Sequence, residues 1–397
     1  MIRLSLLTLS AVLGVVAIPD AARADFHACL TALKPQAAAK GISAVTFTTA
    51  TQGIQPDRTV LERMDQQPEF KMPIWDYLAS LVDEERVADG HAAMQAWSTT
   101  LAAAEARYGV DRHILAAVWG VESDFGKDMG KQPLVQSLAT LSCFATRRRD
   151  YFRGELIATL QIIQRGDIKA SRLTGSWAGA FGHTQFMPST FQRFAVDLDG
   201  DGRRDVVDSV PDALGSTANY LRKAHWVPGQ PWGYEVRLPD GFNMRLIGRR
   251  KKRPVASWAA MGVRRIDGQP LTGSGPAGIL LPAGPRGPAF LVTRNFDALY
   301  SYNAAESYAL AIGLLSDRLR GNPGVQTPWP TNDPGLSRAE RRELMRLLAR
   351  RGYDVGEPNG RIGAKARAAI QDVERRIGMV PAGRPGGRVL EVLRRGG

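Results

Sequence analysis

The stretch His113-Ile-Leu-Ala-Ala-Val-Trp-Gly-Val-Glu-Ser-Asp-Phe-Gly126 decides how this chain is read. Ile114, Ala117, Val118 and Val121 recur at helical spacing, which predicts a buried helix. Ser123, Asp124 and Gly126 stop it soon afterwards. Its last turn carries Glu122. Burial disfavours the charged form of a carboxyl group, so a Glu at the end of an apolar helix tends to keep its proton near neutral pH. Such a group can serve as a general acid. The plain alternative is a helix-end Glu that is solvated or salt-bridged, since structural pairs also perturb titration.

Working outward, the 397 residues allow roughly two to three domains and a sizeable core. Residues 1–24 read as a secretory signal: Arg3 is the positive start, Leu4 to Ile18 the apolar stretch, and Ala22-Arg23-Ala24 the small-x-small cleavage site before Asp25. The apolar stretch is short for a membrane span, and no later segment is long enough. This predicts a periplasmic or secreted protein. Its formal net charge is +13, and about +12 without the signal. Such an excess favours an anionic partner. Export argues against nucleic acid and for the cell envelope. Cys29 and Cys143 could form one disulfide in an oxidising compartment, and two free buried thiols are the other reading. The five histidines lack metal-ligand spacing, so a zinc site has little support.

The pattern is mainly helical. Phe26 to Lys40 reads as a helix ended by Gly41, and Trp75 to Tyr108 as one or two long helices. From about Gly233 to Arg294 Gly and Pro become frequent. The β-type runs Tyr234–Leu238 and Ala289–Thr293 predict a small strand-rich insert there. Helix returns at Ala304 to Leu319. Residues 321–335 hold Pro323, Pro328, Pro330 and Pro334 and read as a semi-stiff linker. Beyond it, Ser337 and Glu340 have capping-box spacing. Leu344, Leu347 and Leu348 form an apolar stripe, and a second helix is expected from Gly363 to Arg376. Residues 336–397 carry 15 Lys+Arg against 7 Asp+Glu. That basic face is either solvated or in contact with an anionic polymer.

A second segment, Gly175-Ser-Trp-Ala-Gly-Ala-Phe-Gly-His-Thr-Gln-Phe-Met-Pro-Ser-Thr190, mixes glycines with Ser176, His183, Thr184 and Gln185 among apolar residues. Ligand sites commonly have that mix, and a tight helix–loop corner has it too. Taken together, Val118–Gly126, Ser137–Leu141, Arg147-Arg148 before Tyr151-Phe152, Ser176–Ser189, the Asp-rich loop at 197, and Tyr302-Asn303 with Tyr308 occur in the order of a known family. Over about residues 25–320 the chain resembles the B-type lytic murein transglycosylases, glycoside hydrolase family 103. The tail resembles a three-helix peptidoglycan-binding domain, through Leu348–Gly356 and Asn359–Ile370.

The resemblance implies a lysozyme-like helical catalytic domain (25–320) with the insert at about 233–294, then the linker, then the peptidoglycan-binding domain (336–397). It implies cleavage of the β-1,4 bond between N-acetylmuramic acid and N-acetylglucosamine in peptidoglycan glycan strands, with a 1,6-anhydro product. The sugar's own 6-hydroxyl then attacks, so one carboxyl group suffices where most glycosidases use two. Glu122 would protonate the leaving oxygen and later take the hydroxyl's proton. Asp124 lies two residues on, a spacing that does not share a helix face. By position in the family motifs, Ser176 and Gln185 line the sugar cleft. Tyr302, Asn303 and Tyr308 approach the acid or the substrate. Arg147 and Arg148 bind substrate carbonyl or carboxylate groups. Tyr302 and Tyr308 read otherwise as core aromatics, and Arg147 and Arg148 as a solvated run. Phe181 stands where the family more often has Met, a change expected to reshape the cleft wall.

No cofactor is expected for the chemistry. A structural calcium is expected in the loop Asp197-Leu-Asp199-Gly-Asp201-Gly-Arg203, which begins like an EF-hand. The backbone carbonyl of Arg203 would fill the seventh position. Either Asp208 or Asp212 closes the loop, and the family alignment favours Asp212. Three other functions stay open: a catalytically silent peptidoglycan-binding scaffold, a lysozyme-type hydrolase, and a calcium-dependent binding module.

Overall fold

A computed structural model describes residues 20–64 and 72–396. Most of the expected signal sequence, residues 1–19, lies outside the described residues. Among those described, the chain is mostly helical, with seventeen α-helices and one five-stranded sheet.

The first lobe contains α1 (Asp20–Ala39), α2 (Ala44–Thr51) and α3 (Arg58–Met64). Their apolar faces, with Phe26, Leu30, Phe47 and Val60, pack on Leu138, Leu141, Phe152 and Leu156 from later helices. Cys29 and Cys143 form a disulfide across this lobe, which resolves the pairing left open by the sequence.

The stretch from Trp75 to Tyr108, expected as one or two long helices, is three: α4 (Ile74–Leu81), α5 (Glu84–Ala96) and α6 (Ser98–Tyr108). Asp83 breaks the run by capping α5, its side chain accepting from the Arg86 amide at 2.8 Å. Trp97 supplies the second break, ending α5 and starting α6.

Next comes α7 (Arg112–Ser123), the predicted buried helix, capped by Asp111. Residues Ile114 to Gly120 are all buried. A helix apolar all round belongs in a core, and α6, α14, α11 and α5 surround it. After β1 (Gln132–Pro133), α8 (Leu134–Phe144) and α9 (Arg149–Arg165) pack against each other. Then β2 (Thr174–Gly175) pairs antiparallel with β1. The helices α10 (Pro188–Phe194) and α11 (Val210–Lys223) complete this half.

The strand-rich insert is present. Its strands are β3 (Gly233–Arg237), β4 (Arg253–Pro254), β5 (Arg264–Arg265), β6 (Pro276–Leu280) and β7 (Ala289–Val292), with the short helix α12 (Val255–Ala260). The order is β4-β6-β7-β3-β5, every pair antiparallel. Tyr234, Val236, Ile279 and Leu291 build its core around the buried Trp258. Two helices, α13 (Arg294–Asn303) and α14 (Glu306–Leu319), return the chain to α7.

The segment from 320 to 336 lies along the protein. The amides of Gln326 and Thr327 each donate to the Glu235 carboxylate at 2.8 Å. A three-helix unit follows: α15 (Arg338–Arg350), α16 (Ala364–Arg376) and α17 (Gly387–Arg394), around Leu344, Leu348, Ile370 and Leu390. The capping box of Ser337 and Glu340 is formed. Part of the basic charge here is spent inside the molecule: Arg338, Arg342, Arg361 and Arg384 pair with Asp83, Glu85, Asp128 and Asp76 of the larger unit.

Candidate active site

Glu122 sits in the last turn of α7, half-buried. The Tyr308 hydroxyl, from α14, donates to Glu122 Oε1. Tyr308 is fully buried, and burial followed by the charge of Glu122 pushes its phenol well above the usual range. It therefore stays protonated, and remains a donor, across the working pH range of an enzyme. Tyr302 of α13 stacks on Tyr308 with ring centroids 6.1 Å apart and planes 16° apart. Its hydroxyl donates to the Thr184 carbonyl at 2.8 Å. The two tyrosines thus connect α13 and α14 to the acid and to the loop at 184.

The chain after Glu122 turns sharply. Asp124 and Phe125 both have positive φ, 52° and 58°, followed by Gly126 at 86°. A left-handed conformation costs a non-glycine residue roughly 1–2 kcal/mol. Local packing offsets that cost. The Phe125 ring lies over Gly120, where an added Cβ would come within 2.6 Å of it. The Asp124 carboxylate receives Arg338 at 2.8 Å and Arg86 at 3.3 Å. The spacing argument on Asp124 thus has a structural counterpart, because that group serves two guanidinium ions.

The loop 175–187 packs against the same turn. Ser123 Oγ donates to the His183 carbonyl, and the Trp119 indole donates to His183 Nδ1 at 3.1 Å. Burial depresses the His183 imidazolium, which leaves the ring neutral and able to accept that bond. Ser176 holds its own hairpin, its Oγ accepting from the Ala180 amide at 3.0 Å. Gln185 has φ 51° and donates to the carbonyls of Met129 at 3.1 Å and Gly182 at 2.9 Å. It ties the 126–131 segment to the loop. Gly130 and Gly175 cross so closely that a Cβ on Gly130 would lie 2.3 Å from the Gly175 carbonyl carbon. Phe181 is fully buried among Phe186 and Phe191. Its ring belongs to that core.

Other sequence candidates lie further out. Asn303 is exposed at the last residue of α13. Arg147 and Arg148 are exposed just before α9. Arg147 donates to the Met64 carbonyl at 3.0 Å, and the Arg148 guanidinium sits 4.1 Å from the Tyr151 ring centroid. A cavity of about 440 Å³ opens at the opposite end of α7, lined by Asp111, Trp232, Tyr234, Asp317 and Arg320. It is not the site of the acid.

The Asp-rich loop forms a compact oxygen cluster. Single oxygens of Asp197, Asp199, Asp201 and Asp212 lie within 4.8 Å of one another. Asp212 is buried, its carboxylate accepting from the amides of Leu198 at 2.7 Å and Asp205 at 2.8 Å. Burial pushes it up to about 6. Asp208 instead pairs with Arg172, and it is the Asp212 carboxylate that joins the cluster. The Arg203 side chain pairs with Asp201 at 2.9 Å. All-carboxylate donors suit a hard divalent cation. The loop also reaches the segment packed on the end of α7: the Val206 carbonyl accepts from the His183 amide at 2.9 Å.

Sequence reading missed Arg86 and Arg338. No periodicity or motif marks them, because their partners stand 38 and 214 positions away.

Comparison with known proteins places this geometry. Residues 25–317 match the transglycosylase SLT domain family, and residues 337–393 match a peptidoglycan binding domain family. Membrane-bound lytic murein transglycosylase B of Escherichia coli K12 is 34% identical over 245 residues, 60% of this chain; the chain spans 65% of that relative's length. The crystal structure of SltB3 from Pseudomonas aeruginosa in complex with NAG-anhNAM-pentapeptide is 45% identical, with a TM-score of 0.75, covering 93% of this chain and 99% of that one. The Escherichia coli lytic transglycosylase SLT35 in complex with calcium is 28% identical, with a TM-score of 0.64, covering 76% and 94%. With nearly three quarters of its length in one family match, the chain belongs to the lytic transglycosylases of the SLT domain family.

Proposed function

We propose that this protein cleaves the β-1,4 bond between N-acetylmuramic acid and N-acetylglucosamine and releases a 1,6-anhydromuramic end. The observation that carries this reading is the pairing of Glu122 with a buried tyrosine, while the neighbouring Asp124 is committed to two arginines. One carboxyl group then does both proton transfers. Glu122 protonates the glycosidic oxygen as the bond breaks. It then takes the proton of the 6-hydroxyl, whose oxygen closes on the anomeric carbon, so no water is consumed. Tyr308 holds the carboxyl group in place through both steps. Ser176 and Gln185 would shape the cleft beside it, Tyr302 and Asn303 would border it, and Arg147 and Arg148 would meet carbonyl or carboxylate groups of the polymer.

Incubation with purified sacculi and mass spectrometry of the released fragments tests this. Anhydro ends, one water lighter than reducing ends, are expected. Reducing ends alone would assign a lysozyme-type hydrolase, and no release at all a binding scaffold.

The acidic loop is proposed to hold a structural calcium ion through Asp197, Asp199, Asp201, the Arg203 carbonyl and Asp212. The likeness to a calcium-bound transglycosylase and the carboxylate cluster support this. The ion would neutralise the cluster and so firm the Val206–His183 contact beside the acid. Calorimetric titration with Ca²⁺ should give one site, lost in Asp212→Asn. The signal at 1–24 would export the protein to the periplasm or beyond. No helix among the described residues is long and apolar enough to cross a membrane. N-terminal sequencing of the exported protein should begin at Asp25.

A further inference from the structure

The turn that follows Glu122 is held from outside the catalytic unit. Asp124 closes α7 in the left-handed region, with its amide on the Gly120 carbonyl at 3.0 Å. Its Oδ1 receives two guanidinium groups. Arg86 comes from α5, is 6% exposed, and also donates to the Gly120 carbonyl. Arg338 is the first residue of α15, in the three-helix unit.

Arg338 is built as a bridge. Its Nε and Nη2 form a fork on Asp83, at 3.0 Å to Oδ2 and 3.1 Å to Oδ1, and its backbone amide meets Oδ2 at 2.9 Å. The remaining arm, Nη1, reaches Asp124 at 2.8 Å. Asp83 is itself the cap of α5, from which Arg86 projects. One guanidinium therefore joins the start of α5, the end of α7 and the start of α15. A planar, rigid donor fork suits that task, and an ammonium ion would not reproduce it.

We propose that Arg338 is a positioning residue for Glu122, so that the peptidoglycan-binding unit completes the catalytic unit as well as adjoining it. Two successive non-glycine residues in the left-handed region need their partners to stay there. With Arg338 gone, Asp124 loses its shorter ionic contact. The strained turn can then relax into a further turn of helix or fray. Glu122 lies two residues before that turn, and a displacement of about 1 Å at a reacting group can cost on the order of a hundredfold in rate. The inference rests on the reading of Glu122 as the acid.

The test is steady-state cleavage of soluble glycan strands by the full chain. Arg338→Ala and Asp124→Asn are each expected to lower kcat about tenfold with KM within about twofold, and the double variant to fall no further. Arg338→Lys should recover only part of the loss. Arg342→Ala removes another ion pair of the same interface, with Glu85 at 2.6 Å, without touching Asp124. It should leave kcat within about twofold. Circular dichroism melts verify that each variant is folded at assay temperature. If Arg338→Ala is not, Asp124→Asn and Arg338→Lys carry the comparison. The proposal falls if kcat of the folded variants stays within about twofold of the parent, if only KM rises, if the losses multiply in the double variant, or if Arg342→Ala is equally impaired. Glu122→Gln, assayed alongside, separates the two readings: activity surviving there defeats the acid assignment, whatever Arg338 does.

Discussion

At one end of α7, Asp111 caps the helix and meets His113 at 3.0 Å and Arg320 at 2.7 Å; at the other, Glu122 meets a neutral phenol. Near the first end a second carboxyl group, Asp317, faces the same cavity and accepts from the Trp232 indole at 3.1 Å. These groups share one region and differ in company. For Asp111 burial works to raise the pKa, but the hydrogen bonds from His113 and Arg320 outweigh it and hold the group well below the usual carboxylate range. For Asp317 burial wins, and it is pushed up to about 7. Burial alone therefore does not decide protonation. The balance of burial against the number and charge of the donors does.

The largest expected effect divides the two ends of the helix by function. Glu122→Gln should lower glycan cleavage by about a thousandfold or more while its melting temperature stays near that of the parent. Asp111→Asn should keep cleavage within about twofold. If both lose activity together, the division between a catalytic and a structural end is broken.

Next in size is the pH dependence of stability. Asp317 has a native pKa near 7 against about 3.9 in an unfolded chain. Its native environment favours the protonated form. That contribution is fully present below about pH 4 and is lost as pH rises through about 7. Asp111 is depressed, so its contribution is present above about pH 4 and is lost as pH falls toward its native pKa. Urea unfolding should show Asp317→Asn gaining on the parent by a few kcal/mol between about pH 4 and pH 7. An unchanged difference across that window would return Asp317 to the ordinary range.

A smaller effect is expected at the tyrosine. Tyr308→Phe keeps the buried ring and removes only the donor to Glu122. It should cost about 1 kcal/mol of stability and roughly tenfold in kcat, read by urea melts and product release. Smallest is the cap: Asp111→Ala should cost about 1 kcal/mol at neutral pH, seen as an earlier unfolding midpoint.

Much of this molecule was legible from short-range pattern. The apolar run around Glu122 gives α7 because periodic side chains must be covered. Ser337 and Glu340 give the start of α15 because the capping box is a local bond. Asp197, Asp199 and Asp201 give the acidic loop because ligand spacing is written along the chain. Tyr308 was reached through family resemblance, and its contact with Glu122 spans 186 positions. What escaped was non-local. The clamp on Asp124 joins residues from three separate parts of the chain, and ion pairs leave no period in a sequence. The cap at Asp83 is a local bond from the Arg86 amide, but the further bond that the same carboxylate accepts from the Arg338 amide spans 255 positions and leaves no sequence signal.

The strip of chain that lies on Glu235 has a practical meaning for anyone who would treat the C-terminal unit as a portable affinity tag. Grafted onto a foreign enzyme, residues 337–393 would arrive with Arg338 shorn of its aspartate receptor and Arg384 without Asp76. Two guanidinium ions shaped for burial would then face solvent. Chimeras that exchange whole chains between relatives keep the lock with its key, and cutting at the proline-rich strip separates them.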